Sequence, residues 1–169
     1  MQTAARECKD ESSPSEFGRE PTRFTHLDQS GKAKMVNIGW KTASRRTASA
    51  RGEILVGAQV LAKIREQSMR KGDIITVSKI AGILGAKQTS QLIPMCHQVP
   101  LDHVQVRISE SPAGESLIVE AEVETSYRTG VEMECLTAVS VTLLTIYDMC
   151  KSANKFMTIS DIRLVTKTK

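Results

Sequence analysis

The 169-residue sequence predicts an α+β domain: a four-stranded antiparallel sheet packed with helices. Three observations carry this. Val104, Val106 and Ile108 alternate with polar residues, Ile118–Glu124 repeats the alternation, and Ser111-Pro112-Ala113-Gly114 between them is a hairpin turn, so residues 102–127 read as two strands with one wet face. From Met133 to about Asn154, Leu136, Val139, Leu143, Leu144 and Ile146 are apolar on more than one side of a helix, which marks that helix as buried. A last alternating run, Ile159, Ile162, Leu164 and Val165, supplies a closing strand.

Taken in order, residues 1–22 are rich in Ser, Glu, Arg and Pro without an apolar period and are expected to form a disordered tail, leaving 23–169 as the domain. Residues 45–55 close on Ile54-Leu55-Val56 and read as the first strand. Val60, Leu61 and Ile64 mark one stripe of a short helix from about Ala58 to Ser68, which Lys71-Gly72 should stop. Asp73 caps the next helix, in which Ile75, Val77, Ile80, Leu84 and Leu92 form an apolar stripe and Pro94 forces the end. Gly82 and Gly85 each cost about 1 kcal/mol in a helix interior, and only close packing against another backbone would justify them. The order β-α-α-β-β-α-β then matches the split βαβ, ferredoxin-like plan with an extra helix.

A formal charge of +4 suits anionic partners. The six aromatic side chains are few and scattered, which argues against a nucleic-acid reader that stacks bases. Cys8, Cys96, Cys135 and Cys150 include no C-x-x-C pair, so structural zinc is not expected and the thiols read as reduced, in an intracellular compartment. No apolar run approaches the ~20 residues of a membrane helix, and no Walker or G-x-G-x-x-G loop is present.

Four groups of residues could carry chemistry. Asp148 and Lys151, spaced i, i+3 on the long helix with Leu144 and Val141, are either an ion pair where the helix end meets solvent or a general acid/base pair. His97 follows a helix-stopping proline in Ile93-Pro94-Met95-Cys96-His97 and is either structural or a proton carrier. Arg128-Thr129-Gly130-Val131-Glu132-Met133-Glu134 leads into the long helix, where Gly130 would admit a ligand while the acids either complement the helix dipole or handle protons. Lys71, Lys79 and Lys87 flank the second helix, with Arg45 and Arg46 on the strand before it; they form a solvated face or border a polyphosphate site.

Together, Thr25-His26-Leu27-Asp28, Met35-Val36-Asn37-Ile38, Lys71-Gly72-Asp73, Ala81-Gly82-Ile83, Ala86-Lys87, Leu92-Ile93-Pro94-Met95-Cys96-His97, Thr129–Glu134 and Thr145-Ile146-Tyr147-Asp148-Met149-Cys150-Lys151 closely resemble the MoaC family, in order from about Phe24 to Lys167. Asn37 stands where that family commonly has Asp, Met95 where it has Leu, and its Gly-rich C-terminal tail is not in this sequence. The resemblance implies conversion of 3′,8-cyclo-7,8-dihydroguanosine triphosphate into cyclic pyranopterin monophosphate with release of pyrophosphate, a step of molybdenum cofactor biosynthesis without net redox change. It implies a hexamer, a trimer of dimers, with the site at a subunit interface, downstream of a radical SAM GTP cyclase. It also implies Asp148, Lys151, Lys71 and His97 as catalytic residues. Met95, Cys96, His97, Glu132, Met133 and Glu134 would hold the substrate, and Lys87 and Arg46 its triphosphate. No cofactor is required, though Mg²⁺ accompanying the triphosphate is compatible. No nucleic acid or membrane partner is implied, and the compartment is the cytoplasm of a bacterium or the mitochondrial matrix of a eukaryote. The rival expectations are an RNA-binding module with a similar sheet and a catalytically silent scaffold.

Overall fold

The computed structural model describes residues 25–28, 30–66 and 73–169. The expected tail at 1–22, the Lys71-Gly72 stop and the end of the first helix at Ser68 lie outside the described residues. Residues up to Lys34 belong to a unit separate from Met35–Lys169. In the first unit the Asp28 carboxylate accepts the backbone N–H groups of Ser30 and Lys32, and Leu27 bridges Ala33, closing a small turn.

The second unit contains β1 (Ser44–Leu55), α1 (Ala58–Arg65), α2 (Ile74–Lys87), α3 (Thr89–Leu92), β2 (His103–Glu110), β3 (Ser116–Tyr127), α4 (Glu132–Cys150) and β4 (Thr158–Thr168). The strands form one antiparallel sheet in the order β2-β3-β1-β4. This is the expected α+β plan. Ala48, Ala50 and Ile54 of β1 and Leu117, Val119, Ala121 and Val123 of β3 alternate inward and meet Val139, Leu143 and Ile146 of α4 in the core. The opposite face stays polar, with Arg45 forked onto Glu124 at 2.9 and 3.0 Å, and residues 103–126 contribute no Phe, Tyr or Trp to it.

Local chemistry explains the boundaries. Asp73 caps α2 as its position predicts, its carboxylate accepting the Thr76 N–H at 3.0 Å. The hairpin closes through Ser111 and Ser116, whose backbones bond at 2.9 Å. The stripe expected to run unbroken to Leu92 is instead divided at Gln88, and the Thr89 hydroxyl bonds back to the Ala86 carbonyl at 3.0 Å where α3 begins.

Two expectations about burial are corrected. The large aliphatic residues of α2, Val77, Ile80 and Leu84, face outward, and its inner face is made of Ile74, Ser78, Gly82, Gly85 and Ala86. The cause is the closeness of α2 to α4: a β-carbon on Gly85 would press on Val141, and one on Gly82 would meet backbone. The second concerns α4, whose length and composition would in fact allow a membrane crossing, contrary to the run-length reading; it lies across the sheet as a core helix instead. It is not buried all round, since Leu144 is 60% exposed.

Candidate active site

The start of α4 and the start of β1 lie at the same end of the sheet, because β1 and β3 pair from Ser44 opposite Tyr127 and α4 follows β3 after a short turn. Alternation along β1 sends Arg45 to the open polar face and Arg46 to the helix-bearing side. There Arg46 lines an open cleft of about 470 Å³ with Trp40, Lys41, Thr42, Ala43, Ser44 and Lys169. Three cations and two hydroxyls make this a receptor for anions. The Nε of Arg46 is buried and finds no hydrogen-bond partner among the described residues, so the guanidinium has donor capacity left for a ligand.

Two further lysines of this region carry no periodic or motif signal in the sequence. Lys169 reaches the cleft because β4 runs back along β1, Thr168 pairing with Thr47. Lys167 stands 3.5 Å from the Glu132 carboxylate at the first turn of α4. Glu132 also folds back over Gly130, filling the space that the sequence reading left for a ligand. Lys87 is exposed at the end of α2 and is not among the residues lining the cleft.

Glu134 is buried, and burial, reinforced by the charge of Glu132, pushes its carboxyl above the ordinary range. A carboxyl held nearer neutrality can both give and take a proton. The Cys96 thiol is likewise pushed up, first by burial and then by the charge of Glu134, which brings the Met95–His97 loop into the electrostatic reach of α4. Met133, one residue earlier, is exposed. His97 is anchored from its other side, Nε2 lying 2.8 Å from the Val36 carbonyl. A carbonyl only accepts, so Nε2–H is the donor of this bond and Nδ1 takes no part in it.

Asp148 and Lys151 are elsewhere. Their 2.5 Å ion pair sits at the far end of α4, with 59% and 55% of each side chain exposed. The exposed pair is the first of the two arrangements that the i, i+3 spacing allows, an ion pair where the helix end meets solvent. The Asp148 hydrogen bond holds the Lys151 ammonium above its ordinary value. Sixteen residues separate Asp148 from Glu132, about 24 Å of helix axis. One chain thus gathers Arg46, Glu132, Glu134 and His97 toward one end of the sheet and leaves Asp148 and Lys151 at the other. Lys71 lies outside the described residues.

Against this geometry stand the relatives. Residues 35–169 match the model of the MoaC family. The chain belongs to the MoaC family. Among its MoaC relatives are proteins named cyclic pyranopterin monophosphate synthase. The one from Desulforapulum autotrophicum is 50% identical over 147 residues, covering 87% of this chain and 90% of the relative. Those of Chloroflexus aurantiacus and Cereibacter sphaeroides are each 48% identical over 144 residues, covering 85% of this chain and 88% and 91% of the relatives. The match to the family model begins at Met35, where the sheet-bearing unit begins.

Proposed function

We propose that this MoaC-family chain is a cyclic pyranopterin monophosphate synthase, a lyase of molybdenum cofactor biosynthesis that rearranges 3′,8-cyclo-7,8-dihydroguanosine triphosphate and releases pyrophosphate. Identity near one half with synthases over nearly their whole length carries the reading. The site chemistry supports it. Phosphates need convergent cations, which the Lys41, Arg46 and Lys169 cleft offers. Opening and reclosing a ring needs staged proton transfer, for which Glu134, His97, Asp148 and Lys151 are the available groups. In this reading Met95, Cys96 and Met133 wall the heterocycle, Glu132 reads its edge, Lys71 and Lys87 add charge, and any Mg²⁺ arrives with the triphosphate.

A complete site requires a second copy of the chain. The supporting observations are the separation of Asp148 from Glu132 along α4 and the outward apolar residues Val77, Ile80, Leu84 and Leu144, which an isolated chain would leave in water. A hexamer built as a trimer of dimers would cover them and bring one chain's Asp148 and Lys151 to another's cleft. The enzyme would then act after a radical SAM GTP cyclase, in the cytoplasm of a bacterium or the mitochondrial matrix of a eukaryote.

The test is incubation with the cyclic triphosphate, followed by detection of the pterin as its fluorescent oxidation product and of pyrophosphate. Stoichiometric appearance of both is expected. A folded protein that binds the triphosphate and yields neither would leave the scaffold reading in its place.

A further inference from the structure

Phosphate chemistry accounts for the cations and hydroxyls of the cleft but not for its one aromatic. Trp40, the single tryptophan of the chain, lines the cleft and leaves 78% of its surface open. A large apolar ring in water needs a reason. The backbone holds it in a fixed place. Asn37 Oδ1 accepts the Gly39 N–H at 2.8 Å and the Lys41 N–H donates to the Ile38 carbonyl at 3.1 Å, so residues 37–41 form a tight turn that carries Trp40 near its tip. From there the Trp40 ring meets the Lys41 ammonium, 5.5 Å from ring centroid to Nζ. That separation is inside the ~6 Å over which a ring quadrupole attracts a cation.

We propose that Trp40 is a positioning residue for the anionic end of the substrate: its ring holds the Lys41 ammonium at the mouth of the cleft, ready to join Arg46 and Lys169 on a polyphosphate. The inference rests on the phosphorylated-substrate reading above and adds a residue to it. A free lysine side chain would lose several rotatable bonds on meeting a phosphate. Contact with the indole removes part of that loss beforehand. Unlike a carboxylate, the ring attracts the ammonium without neutralising it, so the full positive charge remains available. On binding the ammonium keeps the ring on one side and donates a charge-assisted hydrogen bond to a phosphate on another. The turn beneath it depends on an Oδ1 acceptor at residue 37, which Asn supplies as well as Asp.

Because the chain has one tryptophan, its indole emission reports on the surroundings of Trp40 alone. The full-length protein is titrated with pyrophosphate, following emission and, separately, heat. A saturable emission change is expected, absent in Lys41→Met. Trp40→Leu should weaken pyrophosphate binding by about two- to five-fold, the worth of an exposed cation–π contact. Trp40→Phe should recover part of the loss, and KM for the cyclic triphosphate should rise by the same factor in Trp40→Leu with kcat unchanged. Wild-type protein that binds no pyrophosphate, binding that Trp40→Leu does not weaken, or heat of binding without any emission change would each overturn the proposal. The two readings separate cleanly. Normal titrations with no pterin formed would sink the synthase and spare Trp40, whereas full turnover with indifferent Trp40→Leu would do the reverse.

Discussion

Gly82 of α2 lies so close to α4 that a β-carbon at residue 82 would stand 2.9 Å from the Ala138 carbonyl oxygen, with the Thr142 hydroxyl nearer still. Thr142 itself bonds to that carbonyl at 2.8 Å, so the obstacle is a buried, hydrogen-bonded piece of helix. In an exposed helix, Gly82→Ala would gain about 1 kcal/mol from propensity. Here overpacking, worth about 1–3 kcal/mol, opposes it. Gly82→Ala is expected to unfold at lower urea concentration than the wild type; a rise in the midpoint would mean that the helices are free to part.

The same close packing turns Ile80 and Leu84 outward. Charged residues there touch no core, so Ile80→Asp with Leu84→Asp should leave the far-ultraviolet spectrum unchanged. Light scattering on the eluting protein should show a mass below that of the proposed hexamer. An unaltered mass would place the subunit contacts elsewhere.

Glu134 makes a prediction about pH. Burial raises its carboxyl above the ordinary glutamate value of 4.5, so the native state holds that proton more tightly than the unfolded chain. Its contribution to stability is therefore fully present below 4.5, is lost as pH rises through the window up to the raised native value, and is flat beyond. Glu134→Gln should remove that slope and be more stable than wild type at pH 7, while turnover falls by at least ten-fold because the proton carrier is gone. Denaturation series at several pH values and a turnover assay check both. Equal stability at pH 7 would mean the carboxylate is solvated after all.

Much of the fold was legible in the sequence because it rests on local rules. The hairpin around Ser111–Gly114, the Asp73 cap and the alternation of β3 are each decided within a few residues. The orientation of α2 was not, since periodicity defines a stripe without saying whether the core or another molecule covers it. The glycines carried the missing information: Gly82 and Gly85 mark the side that approaches α4. For the site, Glu134, His97 and Arg46 were visible as motif residues, and the geometry sets them toward one end of the sheet. Lys41, Lys167 and Lys169 were missed because isolated lysines in a turn and at the end of a strand have no pattern until β4 pairs with β1. Asp148 and Lys151 were visible too, but their spacing alone did not place them on the exposed end of α4.

Mixing two inactive variants shows whether the proposed active site is shared between two chains. Asp148→Asn should fold normally, because an exposed ion pair is worth little, and Arg46→Met should keep the sheet while losing one of the cleft's three cations; each alone is expected to be inactive. Unfolded together and refolded, they should recover about a quarter of wild-type activity, the statistical share of sites that take an intact Asp148 from one chain and an intact Arg46 from another. Mixtures that stay inactive while assembling at the wild-type mass would contradict the account, because both residues would then have to come from the same chain.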